Sequence, residues 1–247
     1  MDNLRIEILG YWGGYPSNGG ATSGYLVSSD GGKILLDCGS GIMSRFSISN
    51  KVEDLSGIIL SHLHYDHTTD IGIFQYALVG ALRRGEIQNK LKVYSPTEPK
   101  ELWKAIQSEE TYFQEINENE KIQIANMTIE FLPVNHTISC YAVKVTYKHK
   151  IFVYSADTTY TDTLIEFAKN ADLFICEATI CKGSYHSTGA GHMSAGEAGL
   201  LAEKANVKKL ILTHLPSDGD FALMKKEAKE NFSKEVYVAN EISIFEL

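Results

Sequence analysis

Ser61-His62-Leu63-His64-Tyr65-Asp66-His67 places three imidazoles and a carboxylate within six positions, in a chain that holds only eight histidines. Gly57-Ile58-Ile59-Leu60 before it reads as a short buried strand, and Thr68 onward, Thr-Thr-Asp-Ile-Gly-Ile-Phe-Gln-Tyr-Ala-Leu, reads as a helix. The run therefore sits at a strand-to-helix junction. There His62 and His64 point the same way by the two-residue period of an extended chain, while Asp66 and His67 enter the first helical turn. One turn can then supply ligands to two adjacent metal ions. The plainer reading makes Asp66 a helix cap among solvated histidines, and it gives no reason for three imidazoles beside one cap.

A site with two ions needs ligands from elsewhere, and they stand at the ends of later apolar segments. Phe131-Leu132-Pro133-Val134-Asn135-His136 ends in a histidine, Ile151-Phe152-Val153-Tyr154-Ser155-Ala156-Asp157 in an aspartate, and Leu210-Ile211-Leu212-Thr213-His214 in a histidine. Each lies just past a buried run, where loops gather at one edge of a sheet.

These residues, with Leu35-Leu36-Asp37-Cys38-Gly39 ahead of them, resemble the five motifs of the metallo-β-lactamase superfamily in order. The resemblance implies an α/β fold, the αββα four-layer sandwich. It implies one metal on His62, His64 and His136, a second on Asp66, His67 and His214, and Asp157 between them. Such donors suit two divalent ions, Zn²⁺ first and Mn²⁺ as the alternative. Asp37 either orients the ligand loop or is a turn aspartate ahead of Gly39. His67 beside Asp66 speaks against the antibiotic-hydrolysing branch, and His64 against the flavodiiron branch.

Ile175-Cys176-Glu177-Ala178-Thr179 and Ala190-Gly191-His192-Met193-Ser194 resemble two segments of ribonuclease Z, with Cys176 where that family has a histidine. The resemblance makes His192 the acid that protonates the leaving oxygen, with Glu177 as its acidic support. A phosphodiester needs such an acid, because its alkoxide leaves poorly. His192 also precedes Ser194-Ala195-Gly196-Glu197, a capping-box pattern, so it can equally be a residue ahead of a helix. The Gly- and Pro-rich arm with which ribonuclease Z grips transfer RNA has no counterpart. In the bacterial enzyme it lies between the motifs matching His136 and Asp157, and here residues 137–156 read as a hairpin.

The loop Tyr11-Trp12-Gly13-Gly14-Tyr15-Pro16-Ser17-Asn18-Gly19-Gly20-Ala21-Thr22-Ser23 demands tight turns and joins the first two strands. Trp12 or Tyr15 could stack on a base, with core packing the favoured reading. Thr22 and Ser23 at its end are placed at the substrate. So are Lys182 and His186 in the loop Lys-Gly-Ser-Tyr-His-Ser-Thr-Gly-Ala-Gly, although solvated loop positions are the plainer reading for both.

Charge points the same way as the missing arm. Lys plus Arg number 23 against 31 Asp plus Glu, a formal net of −8, whereas binders of long nucleic acid carry a basic face. At 247 residues and 44% hydrophobic the chain fits one hydrolase domain over 1–247. No 18-residue apolar run suggests a membrane, the chain opens directly on a strand at 4–10 with no signal peptide, and the four cysteines form no Cys-x-x-Cys pair. Reduced thiols in a cytoplasmic protein follow, and relatives of this type suggest a homodimer.

The expected elements are strands at 4–10, 24–29, 33–37, 57–60, 91–94, 121–124, 127–133, 141–147, 150–155, 172–177 and 208–213, with two more at the end. Helices are expected at 40–48, 67–84, 98–108, 161–169, 195–206 and 220–231. The expected function is a dinuclear metal-dependent phosphodiesterase on small or short nucleotides. A hydroxide held between the ions attacks phosphorus, Asp66 orients or deprotonates it, and His192 protonates the leaving oxygen. The alternatives are a ribonuclease Z-type endonuclease acting on the 3′ end of transfer RNA, an acyl hydrolase such as a thioesterase or lactonase, and a non-catalytic RNA-binding relative, against which seven intact ligands argue.

Overall fold

The computed structural model describes residues 3–181 and 191–247. Fourteen strands among them form two seven-stranded sheets. The first runs β14-β1-β2-β3-β4-β5-β6, from β14 (Ile244–Glu246), β1 (Arg5–Gly10), β2 (Gly24–Ser29), β3 (Gly32–Leu36), β4 (Leu55–Ile59), β5 (Leu91–Ser95) and β6 (Thr111–Glu115). The second runs β13-β12-β11-β10-β9-β8-β7, from β13 (Glu235–Val238), β12 (Lys209–Thr213), β11 (Leu173–Glu177), β10 (Lys150–Tyr154), β9 (Tyr141–Tyr147), β8 (Met127–Pro133) and β7 (Ile122–Ile124). In each sheet three antiparallel pairings adjoin three parallel ones.

Alternation along the strands builds the layers. On β3, Ile34 and Leu36 face a core shared with Phe152 and Tyr154 of β10, while Leu35 between them faces the other way. Outside the first sheet, Leu35, Ile58 and Val93 pack on α1 (Ile42–Phe46) and α3 (Ile71–Arg84), with Leu102 of α4 (Lys100–Ala105) against them. Outside the second, Val153, Phe174 and Leu212 pack on α5 (Asp162–Phe167), α6 (Ala195–Lys204) and α7 (Phe221–Asn231). The four layers are helix, sheet, sheet and helix, as expected. No helix among the described residues is long and apolar enough to cross a membrane.

Two elements differ from the sequence reading. The helix expected over 67–84 is two, a turn α2 (Tyr65–Thr68) and then α3. The His67 carbonyl, which would accept within a continuous helix, accepts instead from the Cys38 N–H at 2.7 Å, and the Asp70 N–H turns to the Cys38 carbonyl at 3.0 Å. The strand β6 is unexpected. It pairs only with β5, and of its five side chains Thr111 alone is buried, so its apolar pattern is faint.

Candidate active site

The ends of the strands converge on one edge. Asp37 follows β3, Ser61 to His67 follow β4, His136 follows β8, Asp157 follows β10, and His214 follows β12, with Glu177 as the last residue of β11. Three of these turns bend through the left-handed region, at Asp37 (φ 58°), Ala156 (φ 52°) and His214 (φ 53°). Non-glycine residues hold that conformation at a cost, and such positions cluster at functional sites. Gly39 serves the same turn by having no side chain, since a Cβ there would lie 2.0 Å from the Asp66 carbonyl oxygen.

The side chains fall into two triads of ligand atoms, His62 with His64 and His136, and Asp66 with His67 and His214. Asp157 lies between them. Its Oδ2 is 3.3 Å from His214 Nε2, 3.4 Å from His67 Nε2, 3.6 Å from His62 Nε2 and 3.9 Å from His136 Nε2.

The far nitrogen of most imidazoles is bound to an oxygen, which decides which nitrogen is free. His62 Nδ1 donates to Ser61 Oγ at 3.0 Å, and Ser61 Oγ donates onward to Asp37 Oδ2 at 2.9 Å. His67 Nδ1 donates to the same carboxylate at 2.7 Å, which also accepts from the Tyr154 hydroxyl at 2.8 Å and from Ser61 N–H at 2.7 Å. His136 Nδ1 donates to the Gly191 carbonyl at 3.0 Å and His214 Nδ1 to Thr179 Oγ1 at 2.7 Å. Asp37 thus orients the ligand loop, which resolves the two readings of that residue.

With those protons outward, unprotonated nitrogens meet inside. His64 Nδ1 lies 3.1 Å from His62 Nε2 and 3.0 Å from His136 Nε2, so three ring nitrogens converge on one point, as the ligands of a single cation do. His67 Nε2 and Asp157 Oδ1 are buried without a hydrogen-bond partner. Burial holds His62, His64 and His136 below the usual imidazole range, hence neutral. Burial alone would raise the Asp66 and Asp157 carboxyls, but the neighbouring His67 and His214 outweigh it and hold both well below the carboxylate range. Burial would lower the His67 pKa, but the Asp157, Asp66 and Asp37 carboxylates outweigh it and hold it well above the usual imidazole range, so a cation there takes the place of a proton. The neutral imidazoles of His62, His64 and His136, beside the ionised carboxylates of Asp66 and Asp157, are part of a donor set that fits two divalent cations.

His192 stands beside this set. Its ring is 5.1 Å from that of His136 and 5.2 Å from that of His214, and its Nδ1 donates to Glu177 Oε1 at 2.9 Å. Burial would lower its pKa, yet the bond to Glu177 and that carboxylate's charge outweigh burial and raise it to about 9. The capping box reading of the same segment holds as well, because Ser194 Oγ accepts from the Glu197 N–H and the Glu197 side chain accepts from the Ser194 N–H. Glu177 is wholly buried. Its Oε2 accepts from Thr179 Oγ1 at 2.8 Å, so it also reaches His214 through that hydroxyl. The bridging role of Thr179 was hidden in the sequence, since a hydroxyl two residues past a strand-end glutamate carries no spacing signal of its own.

Other expected contacts lie elsewhere. Thr22 and Ser23 were placed at the substrate, but both are fully buried; Thr22 Oγ1 accepts from the Ser40 N–H at 2.7 Å, and the Ser23 carbonyl accepts from the Gly39 N–H at 3.0 Å. They brace the turn that carries Asp37 and Gly39. Lys182 and His186 lie outside the described residues. The four cysteines are free and buried.

A family model described as the β-lactamase superfamily domain matches residues 32–215. The chain is 34% identical over 244 residues to the probable metallo-hydrolase YhfI of Bacillus subtilis (strain 168), across 98% of this chain and 100% of that one. The crystal structure of YhfI, described as a metallo-β-lactamase fold protein, matches with a TM-score of 0.94 at 35% identity, covering 99% and 100% of the two chains. A ribonuclease Z of Archaeoglobus fulgidus is 24% identical over 301 residues, covering 98% and 97%. A diphosphatase of the PhnP family has a TM-score of 0.76 at 16% identity, covering 99% and 97%, which speaks for the fold alone. With two triads at the strand ends of this fold and a family match across most of its length, the chain is a hydrolase of the metallo-β-lactamase superfamily.

Proposed function

We propose that this protein is a dinuclear metal-dependent phosphodiesterase acting on small or short nucleotide phosphodiesters. The observation that carries the reading is His192, a cationic imidazole fixed by Glu177 at the edge of both triads. Two divalent ions, when bound, lower the pKa of water and neutralise phosphate charge. The protein's own groups supply the rest. His62, His64 and His136 would hold one ion and Asp66, His67 and His214 the other, with Asp157 between the two triads. Asp66, which lines the cleft, orients the attacking water or takes its proton. His192 gives its proton from Nε2 to the leaving oxygen, and Glu177 steadies the imidazolium until then.

A carbonyl substrate whose leaving group departs unaided has no use for that acid, so His192 favours an alkoxide leaving group. The cleft, about 440 Å³, suits one nucleotide. The likeness to a ribonuclease Z supports chemistry at phosphorus. Likeness to ribonuclease Z also favours a second reading, cleavage of precursor transfer RNA. Against it, β9 and β10 are joined by the two residues 148 and 149, with no arm.

The test is to load the protein with Zn²⁺ or Mn²⁺ and to compare bis(p-nitrophenyl) phosphate, cyclic nucleotides, dinucleotides, precursor transfer RNA and a thioester side by side. Turnover of small diesters is expected, and turnover of the thioester alone would overturn the reading. His192→Ala should slow diesters with alkoxide leaving groups by about 10²- to 10⁴-fold, while p-nitrophenyl esters, which leave unaided, lose far less. Equal losses on both would remove His192 from the role of acid.

A further inference from the structure

Trp12 and Tyr15 lie three residues apart in the glycine-rich loop, and the structure parts them. Trp12 is 4% exposed and packs between Tyr11 and Phe221, with ring centroids 5.1 and 5.7 Å away. Tyr15 is 62% exposed and forms part of the wall of the cleft that holds His64, Asp66, His192 and His214. A tyrosine this exposed is ordinarily loose, but this one is held at several points. Its hydroxyl and Ser217 Oγ are 2.5 Å apart, and its N–H donates to the Gly13 carbonyl at 2.9 Å.

The two glycines before it set the ring's place against the ligands themselves. The Gly13 N–H donates to the Leu215 carbonyl at 3.0 Å, and a Cβ on Gly13 would stand 2.8 Å from the His214 ring. The Gly14 N–H donates to Asp66 Oδ2 at 2.8 Å, with Gly14 at φ +72°. Tyr15 therefore projects at a fixed offset from two of the three ligands of one triad, Asp66 and His214. The same wall carries the exposed carboxylate of Asp218. A carboxylate there repels a second phosphate, so the occupant of this end is not an anion, and a ring on the wall favours a flat one.

We infer that Tyr15 is the specificity residue for a nucleobase: it stacks on the base of a nucleotide whose phosphate lies at the two triads. This rests on the phosphodiesterase reading and narrows it to substrates with a base one nucleotide-length from the scissile phosphate.

The test pairs binding with turnover in the zinc-loaded protein. By calorimetry, wild type should hold AMP about 5- to 150-fold more tightly than ribose 5-phosphate, the range for one stacked base. Tyr15→Ala should erase that difference, and Tyr15→Phe, which keeps the ring and loses the Ser217 bond, should retain most of it. In turnover, the preference for thymidine 5′-(p-nitrophenyl phosphate) over methyl p-nitrophenyl phosphate, which share a leaving group, should fall by a similar factor in Tyr15→Ala. Equal affinity of wild type for AMP and ribose 5-phosphate, a difference that survives Tyr15→Ala, or one lost equally in Tyr15→Phe overturns the stacking role. Failure of wild type to turn over either ester would instead count against the phosphodiesterase reading, and the binding ratio would still judge Tyr15.

Discussion

Two hydroxyls, on Ser61 and Thr179, stand between a buried carboxylate and a histidine ligand. Each passes a hydrogen bond outward and leaves the inner nitrogen of its histidine unprotonated. Ser61→Ala and Thr179→Val remove that link without touching a ligand, so zinc affinity should fall about 10- to 100-fold, measured by competition with a chromophoric chelator. Affinity unchanged in both would mean that packing alone orients the rings. At this scale the sequence showed the ligands, because each ends an apolar run or lies in the dense motif at 61–67. It did not show which of Trp12 and Tyr15 is buried, since that depends on Phe221, two hundred residues away. Thr22 and Ser23 were misplaced for a related reason: proximity to a glycine loop says nothing about which side of the following turn a hydroxyl faces.

At the scale of elements, the segment 191–205 does two jobs that separate variants can distinguish. Ser194→Ala removes the cap of α6 and should cost about 1 kcal/mol in urea unfolding, whereas His192→Ala should cost turnover with little change in stability. If the two variants lost stability and turnover together, His192 would be part of the cap. A second element-scale contact ties the start of β10 to the entries of β11 and β12. Asp172 accepts from the Ile151 N–H and from Lys208 Nζ, at 2.8 and 2.7 Å. Burial would raise its pKa, but these bonds and the Lys208 charge outweigh it and lower it from 3.8. Its contribution to stability is therefore present above about pH 3.8 and is lost as pH falls through the lower folded value. Asp172→Asn should be less stable than wild type at pH 7, and the gap should close below pH 3.8; a gap constant with pH would rule out the ion pair as its source. Most strands and helices were legible from alternation and periodicity. The break at 69–70 was not, because its cause is a backbone bond to Cys38, and β6 was not, because a once-paired edge strand needs little apolar surface.

For the whole molecule, metal binding and folding are linked. At free metal 100 to 1,000 times the dissociation constant, binding adds about 3–4 kcal/mol, roughly 5–16 °C in Tm for a chain of this size. Chelation should lower Tm by that amount and zinc should restore it, as followed by calorimetry; a Tm indifferent to chelator would speak against resident ions. The pairing of the two sheets was legible through the order of the motifs, whereas the contacts between the sheets were not, since partners such as Tyr25 and Thr213 are far apart in sequence.

Beneath the ligands, Tyr25 and Tyr154 cross from opposite sheets with ring centroids 4.8 Å apart. The Tyr25 hydroxyl and Thr213 Oγ1, beside His214, lie 2.6 Å apart, and the Tyr154 hydroxyl donates to Asp37, the anchor of His67. Each sheet thereby holds a strap fastened next to a ligand of the other. The two straps tie the sheets together beneath the centre, so the amide protons of Ser61, bound to Asp37, and of His67, bound to the His64 carbonyl, should exchange with solvent only when the whole chain opens, and slow exchange there would serve as a gauge of global unfolding.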